Sequence, residues 1–359
     1  MLLKNLIKNI SKEKKNINIA GISTNSKEIK KNYIFFAIRG NSTNGEKFIK
    51  DAIKKGATVV VCSNKCKIKI NTNNILVIKT KKIRNFLSLI ASRFYKLKPK
   101  NIIAVTGTNG KTSVADLFYQ ILKKNRISAA TIGTLGIKYN NKVIKTGLTS
   151  PDTISIHKYL NFLKKKKINN VIIEASSHGL DQNRLHHVKF KGAIFTNFSQ
   201  DHLDYHKTMN SYLNAKLLLL REILDKKSTV ISDKKIKPFS TIQKISQKKS
   251  FKLIEIKKEF DKIKNISSEP TIDFKIKNLA MAIQAVKLCG LKDKYIYKHI
   301  NKLEDVDGRL EQVKRYSNNI KVFIDYAHTP DALLKTIKSL KSIFGKNISI
   351  VFGCGGDRD

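Results

Sequence analysis

"IIAVTGTNGKTSVADLF" occupies residues 102–118: an apolar run, a glycine-bearing turn ending in Lys-Thr, and a segment with helical spacing. Glycines let backbone N–H groups turn toward an anion, and the helix that follows directs the positive end of its dipole to the same place. Lys111 adds a point charge for terminal phosphates, and the Thr112 hydroxyl suits Mg²⁺. The full phosphate-loop pattern is shortened, because Val105 stands where its first glycine belongs. A bare Gly-Lys-Thr carries little weight by itself; the flanking strand and helix are the context that predicts a nucleotide loop.

Outward from this loop, strand, loop and helix repeat from residue 101. NIIAVT leads to SVADLFYQILKK, VIIEAS follows at 171–176, and AIFTNF at 193–198 precedes NAKLLLLREIL at 214–224. Runs rich in Val and Ile that alternate with helices predict an α/β domain with a mostly parallel sheet covered on both faces. Ligands of such sheets gather at the carboxyl ends of the strands. Residues 1–98 carry YIFFAI (33–38) and ATVVVC (57–62) around a helical GEKFIKDAIKKG (45–56), which reads as a small N-terminal α/β domain. Residues 226–272 are lysine-rich and too weakly patterned to assign. Beyond them come a helix at 278–289, a turn at Asp307-Gly308-Arg309, a strand at 321–327, a helix at 331–344, and a strand with a glycine turn at 348–356. This last part reads as the start of a Rossmann-like domain that stops, unfinished, at Asp359. The expected boundaries are 1–98, 99–312 and 313–359.

Composition bounds the function. The 359 residues include 71 Lys plus Arg against 27 Asp plus Glu, a net charge of +44. Such a charge ordinarily suggests nucleic acid or an anionic membrane. Here lysines occur in almost every segment beside abundant Ile and Asn, as codon bias in an A- and T-rich genome would produce, and no nucleic-acid module accompanies them. No specific nucleic-acid partner is therefore expected. Four scattered cysteines, Cys62, Cys66, Cys289 and Cys354, fit a reducing cytosol and small buried residues rather than a disulfide framework or a metal pair. The N-terminus lacks a signal-peptide pattern, and no apolar stretch is long enough to span a bilayer. The expectation is a cytoplasmic protein without membrane insertion, and a monomer.

Two further clusters fall at strand ends. VIIEASSHGLDQNR places Glu174 inside an apolar strand, where a carboxylate is costly unless it meets a cation or an ion-pair partner. TNFSQDHLDYH then offers Asp201, His202, Asp204 and His206 within six positions. Alone this is a zinc cluster or an unliganded polar loop; beside a phosphate loop, Mg²⁺ is the more natural occupant, with Glu174 and His202 as ligands from adjacent strands. Lys216 is the odd member. It either points to solvent or has an amine converted to an anion, as carbamylation by CO₂ would do to a neutral, nucleophilic lysine.

Taken in order, TGTNGKTS, TSPDT, EASSHGLDQNR, TNFSQDHLDYH, YLNAK, DGRLE, IDYAHTPDAL and VFGCGGDRD resemble the Mur ligases. They are most similar to the MurE type, which adds the third stem-peptide residue to UDP-N-acetylmuramoyl-L-alanyl-D-glutamate. The resemblance spans the chain from its first domain to its last residue. It implies ATP and Mg²⁺ as cofactors, and that dipeptide substrate plus an amino acid as partners. It implies that Gly107, Thr108, Asn109, Gly110, Lys111, Thr112 and Ser113 form the ATP loop, with Asn278 near adenine and Arg309 and Asp325 near the nucleotide. Thr112, Glu174 and His202 would bind Mg²⁺, with Lys216 as the carbamylated lysine. Lys111, Lys216 and His202 would be the catalytic set. Thr149, Ser150, Ser176, Gln182 and Arg184 would hold the sugar-peptide, and Thr24, Ser26 and the Asn41-Ser42-Thr43 turn the UDP portion. The implied reaction phosphorylates a substrate carboxylate, and an amine displaces phosphate from the acyl phosphate.

Three departures from the family pattern stand out. STNSK replaces its more usual DSR pattern. DFKIKN (273–278) lacks a glycine and an asparagine, after a segment from Lys216 that is short. The pocket that selects the incoming amino acid, meso-diaminopimelate or lysine, belongs to the domain that stops at Asp359. The competing readings are a folylpolyglutamate synthase-like ligase, a nucleic-acid-binding phosphate-loop protein, and an incomplete, inactive ligase.

Overall fold

The computed structural model describes residues 1–8, 10–40, 43–68, 75–266, 272–318, 320–345 and 347–353. Asn41, Ser42 and Cys354 lie outside the described residues. The chain forms two compact units. The first comprises Met1–Lys98, Pro151–Lys165 and Gln182–Val188; the second comprises Pro99–Ser150, Lys166–Asp181 and Lys189–Asp359.

The first unit begins with β1 (Gly21–Ser23), β2 (Tyr33–Phe36), helix α1 (Ile49–Lys54), β3 (Ala57–Ser63), β4 (Leu76–Thr80) and α2 (Ile83–Phe94). Its four strands pair in parallel in the order β1-β2-β3-β4. Side chains alternate across the pleat, so Ile34, Phe36, Val59 and Val61 face one apolar cluster and Phe35, Ala37, Val60 and Cys62 face another. The sequence there is an unbroken apolar run because both faces are covered. Cys62 and Cys66 are free thiols within the second cluster, and burial pushes the Cys62 thiol up to about 12. The helix expected over 45–56 is α-helical only from Ile49, after a 3₁₀ turn at Gly45–Phe48 that is capped by the Asn44 side chain.

The second unit starts at β5 (Asn101–Thr106), followed by α3 (Lys111–Lys124), β6 (Ala129–Gly133), β7 (Gly136–Tyr139) and β8 (Lys142–Ile144). Helix α4 (Thr153–Lys165) belongs to the first unit; then come β9 (Asn170–Glu174), α5 (Ser177–Asp181), β10 (Gly192–Phe195), α6 (Leu203–His206) and α7 (Met209–Leu218). The sheet order is β12-β11-β10-β5-β9-β6-β7-β8, parallel as far as β6 and finished by an antiparallel meander. The unassigned stretch supplies β11 (Thr229–Ser232), α8 (Phe239–Lys249), β12 (Lys252–Glu255) and α9 (Lys257–Ile266). Its strands are four residues long and β12 reads KLIE, too short and too charged to show a period. Helix α10 (Asp273–Leu288) absorbs DFKIKN in its first turns and packs its alanines, Ala280, Ala282 and Ala285, into the cluster that holds Phe118 and Ile121 of α3. After α11 (Asp293–Tyr297), β13 (Glu311–Arg315) and β14 (Lys321–Ile324) form an antiparallel pair before α12 (Pro330–Phe344). The strand expected at 348–356 does not form among the described residues: β14 pairs only with β13, and Val351 is fully exposed, so no ladder receives it.

In the first unit, α2 and α4 meet around a polar contact. The Ser88 hydroxyl donates to the His186 carbonyl, which leaves it to accept from His157 Nε2 at 3.3 Å. His157 is fully buried, and its Nδ1 has no partner among the described residues. Burial first, and the charge of Lys98 second, lower this imidazole from 6.5 to about 3. Below the unfolded value the unfolded chain takes up a proton that the folded one refuses. The unfolding free energy should therefore fall as pH drops from about 6.5 toward 3, by up to about 1.4 kcal/mol per pH unit from this site. Urea denaturation across that range should show the fall, and His157→Gln should remove the part that this imidazole contributes.

Candidate active site

The loop after β5 needs glycine at two places. Gly107 has φ +138° and Gly110, which caps α3, has φ +84°; a Cβ on Gly110 would lie 2.5 Å from the Asn278 carboxamide oxygen. Asn278 on α10 therefore packs directly on the loop, even though the expected motif around it is altered. The segment after β10 braces the loop from the other side. Asn109 N donates to the Asn197 side chain (2.8 Å), the Thr196 hydroxyl donates to Asn109 O (2.6 Å), and Ser199 N donates to the Thr108 hydroxyl (3.1 Å). Lys111 folds back over the loop, donating to the carbonyls of Gly107 (2.9 Å) and Thr108 (2.7 Å). Ser113 lies in the first turn of α3, half-buried.

Glu174 ends β9 and is 2% exposed. It accepts from the Thr112 hydroxyl at 3.0 Å, from Thr134 N at 2.9 Å and from the Thr134 hydroxyl at 3.1 Å, all neutral donors. Burial raises its pKa, and the nearby Lys111 charge opposes that. A hydroxyl and a buried carboxylate, both hard oxygen donors and short of cationic charge, fit Mg²⁺ shared with phosphate oxygens. Among the described residues no group of three His, Cys, Asp or Glu side chains could hold a metal by itself. Arg309 reaches the same hydroxyl, its Nη2 donating to Thr112 at 3.3 Å while its guanidinium lies 4.3 Å from the Tyr326 ring centroid. Asp325 accepts from Leu310 N (3.1 Å) and the Thr336 hydroxyl (2.8 Å), beside Arg309.

His202 follows β10 and caps α6 in a left-handed conformation, φ 56°. The expectation that it and Glu174 come from adjacent strands is corrected by the sheet: β9 and β10 each pair with β5, so the loop strand lies between them. Its Nε2 lies 3.4 Å from Asp201 Oδ2, and burial lowers the imidazole to about 4 against the pull of Asp201. Lys216 does not point to solvent. It is 1% exposed, donates to Gly107 O at 2.8 Å, and lies 4.4 Å from the centroid of the Tyr212 ring. Burial, then repulsion by Lys111, hold its amine well below the usual lysine range. The shift favours the neutral, nucleophilic form of an amine that touches the phosphate loop.

The remaining expected residues divide between the units. In the second, the Thr149 hydroxyl meets that of Thr134 at 3.1 Å. Ser150 is 1% exposed and fully engaged, donating to Glu174 O (2.7 Å) and accepting from Ser176 N and the Ser176 hydroxyl (3.0 Å each), so it orders the strand end. In the first unit, Arg184 donates to the Gln182 side chain (2.8 Å), Thr24 and Thr43 are exposed, and Ser26 is buried beside Asp51. Sequence reading missed Thr134, Asn197 and Tyr212. Thr134 follows directly on β6, one position beyond Gly133, and nothing in the local sequence pairs it with Glu174.

Residues 105–290 match the Mur ligase middle domain, residues 308–359 the Mur ligase glutamate ligase domain, and residues 18–95 the Mur ligase family catalytic domain. The chain belongs to the Mur ligase family. The "UDP-N-acetylmuramoyl-L-alanyl-D-glutamate--2,6-diaminopimelate ligase" of Rickettsia montanensis is 38% identical over 368 residues, which cover 95% of this chain and 75% of that protein. A solved structure of a ligase of the same title matches the fold with a TM-score of 0.78 at 24% identity, over 100% of this chain and 78% of that one. The MurF ligase of Thermotoga maritima, solved with ADP, matches with a TM-score of 0.57 at 16% identity, over 89% and 74%.

This ligase leaves no room beside its buried carboxylate. A Cβ on Gly133 would lie 2.0 Å from Glu174 Oε1. Gly133→Ala should displace the carboxylate from Thr112 and weaken Mg·ATP binding by about tenfold or more, on the scale of one charge-assisted hydrogen bond. Isothermal titration with ATP and Mg²⁺ measures this, and an unchanged affinity would show that Glu174 is not part of the nucleotide site.

Proposed function

We propose that this Mur ligase is a cytoplasmic, monomeric enzyme that uses ATP to join 2,6-diaminopimelate to UDP-N-acetylmuramoyl-L-alanyl-D-glutamate. The observation that supports it most is the buried Thr112–Glu174 pair, 3.0 Å apart at the end of the loop helix, with Lys111 beside it. The name of the Rickettsia relative supports the choice of substrate and amino acid.

On this reading a carboxylate of the dipeptide attacks the γ-phosphorus of ATP, and ADP leaves. The amine of the amino acid then adds to the acyl phosphate, loses a proton, and expels inorganic phosphate as the amide forms. Lys111 swings from the carbonyls of Gly107 and Thr108 to the transferring phosphoryl group, and Arg309 approaches it from the Thr112 side. Both act by positioning and charge stabilisation. Thr112 and Glu174 would hold Mg²⁺, with His202 on the far side of the loop strand, and a bound ion would supply charge neutralisation to the phosphates. Asn278 lies against the loop, where the adenine end of the nucleotide is assigned.

Lys216 is assigned the role of a carbamate. Its neutral amine adds to CO₂ and loses a proton, which gives the buried side chain a negative charge that would suit a site for Mg²⁺. Thr149 and Ser176, with Gln182 and Arg184, are assigned to the sugar-peptide, and Thr24, Ser26, Asn41, Ser42 and Thr43 to the UDP portion. Ser150, being saturated, acts by ordering Ser176.

Two experiments test these assignments. Mass spectrometry of reactions containing the full chain, ATP, Mg²⁺, bicarbonate and the dipeptide substrate should detect tripeptide product with diaminopimelate, and little with lysine. Product only with a folate and glutamate would replace the reading by the folylpolyglutamate one. Lys216→Ala should lower ligation at least about a hundredfold, and a short-chain carboxylic acid should restore part of it; an Ala variant as active as the parent would refute the carbamate.

A further inference from the structure

Arg309 reaches the phosphate loop from a segment with no regular structure of its own. Residues 303–310 run irregularly between a 3₁₀ turn and β13, and the arginine sits between Gly308 (φ 61°) and Leu310 (φ 48°), both left-handed. An irregular segment holds a side chain in one place only if its backbone is tied down. Here two ties bracket the arginine, and each engages both the N–H and the carbonyl of one residue.

The first tie is Gln120, on α3. Its carboxamide oxygen accepts from Glu304 N at 2.9 Å and its Nε2 donates to Glu304 O at 3.2 Å, so the side chain pairs with the Glu304 backbone as a strand neighbour would. The amide is fixed in turn: Nε2 also donates to Asp116 Oδ2 at 2.7 Å, and Asp116 is ion-paired with Lys138 at 2.7 Å. Gln120 and Asp116 are both buried, 7% and 5% exposed. The second tie is at Leu310, whose N–H donates to Asp325 (3.1 Å) and whose carbonyl accepts from Lys275 of α10 (2.8 Å). Lys275 also donates to Asp305 Oδ1 at 2.7 Å, and Asp305 accepts from Gln312 N at 3.2 Å.

Gln120 and Thr112 lie on the same helix, eight residues and so about 12 Å apart. The helix that presents the Thr112 hydroxyl at its N-terminus thus also sets, two turns farther on, where the arginine-bearing segment starts. We propose that Gln120 and Lys275 are positioning residues for the nucleotide site: they clamp the backbone on either side of Arg309 to the loop helix and to α10, and so hold its guanidinium at Thr112. The role rests on Arg309 meeting the nucleotide, as in the function proposed above, but needs only nucleotide binding and not amide formation.

A double-mutant cycle in the full chain, read by isothermal titration with ATP and Mg²⁺, tests it. Arg309→Ala should weaken binding about tenfold, and Gln120→Ala or Lys275→Met about three- to tenfold, on the scale of one charge-assisted or neutral hydrogen bond. In the Arg309→Ala background either clamp variant should add less than about twofold. Lys275→Arg, which keeps two donors, should retain most of the affinity, and circular dichroism checks that each variant is folded. Clamp losses that multiply fully with Arg309→Ala would overturn the proposal, as would a folded Gln120→Ala that binds like the parent. If the parent chain binds ATP yet makes no tripeptide, the ligase reading fails while the clamp is still decided by the same titrations.

Discussion

A carboxylate buried at the end of a central strand, facing hydroxyls and an N–H rather than a cation, organises the second unit. Moving Glu174 out of water costs several kcal/mol before its partners are counted, and the neighbourhood is arranged to limit that cost. Thr134 gives two donors, Thr112 a third, and Gly133 contributes only the space into which the carboxylate fits. Ser150 fixes the carbonyl of the same residue. What is left is a buried carboxyl hydrogen-bonded only by neutral donors, with the Lys111 charge nearby, at the end of the strand beside the glycine loop and the start of its helix. The hydrogen bonds around it hold the carboxyl in place at the strand end.

Lys216 is the counterpart on the other side of β5. Two lysines lie at one phosphate loop, and burial with the repulsion between them lowers the Lys216 amine. Its position at the end of α7 follows from the packing of that helix: Tyr212, one turn earlier, covers the amine with its ring and touches the Thr108 hydroxyl at 3.3 Å. A π-helical turn, Leu219–Ile223, directly follows, a form that is rare and concentrates near functional residues.

Much of this was legible in the sequence because the α/β pattern is written in long Val- and Ile-rich runs and the motifs fall where those runs end. The phosphate loop, Glu174 and the His202 segment could all be placed on strand ends from residues alone. What stayed hidden was order across the sheet. Nothing in the local sequence says that β5 lies between β9 and β10, since that depends on which helices cross which face. The β11–α8–β12–α9 stretch was hidden for a different reason: four-residue strands with charged ends carry no readable period. Gln120 and Lys275 were invisible too, because a lone Gln or Lys on a helix is ordinary until the backbone it holds is seen.

The first unit is assembled from three separated stretches: Pro151–Lys165 joins Met1–Lys98 after four strands of the second sheet, β5 to β8, and Gln182–Val188 after a fifth, β9. On a ribosome that order has a consequence. Residues 1–98 emerge with the α4-facing side of α2 still uncovered, and Ser88 must wait for a histidine 69 positions later and a carbonyl 98 positions later. The first unit is therefore finished only once residue 188 has been synthesised, while the second still lacks β10, β11 and β12, and a chain released earlier would carry an open apolar helix face.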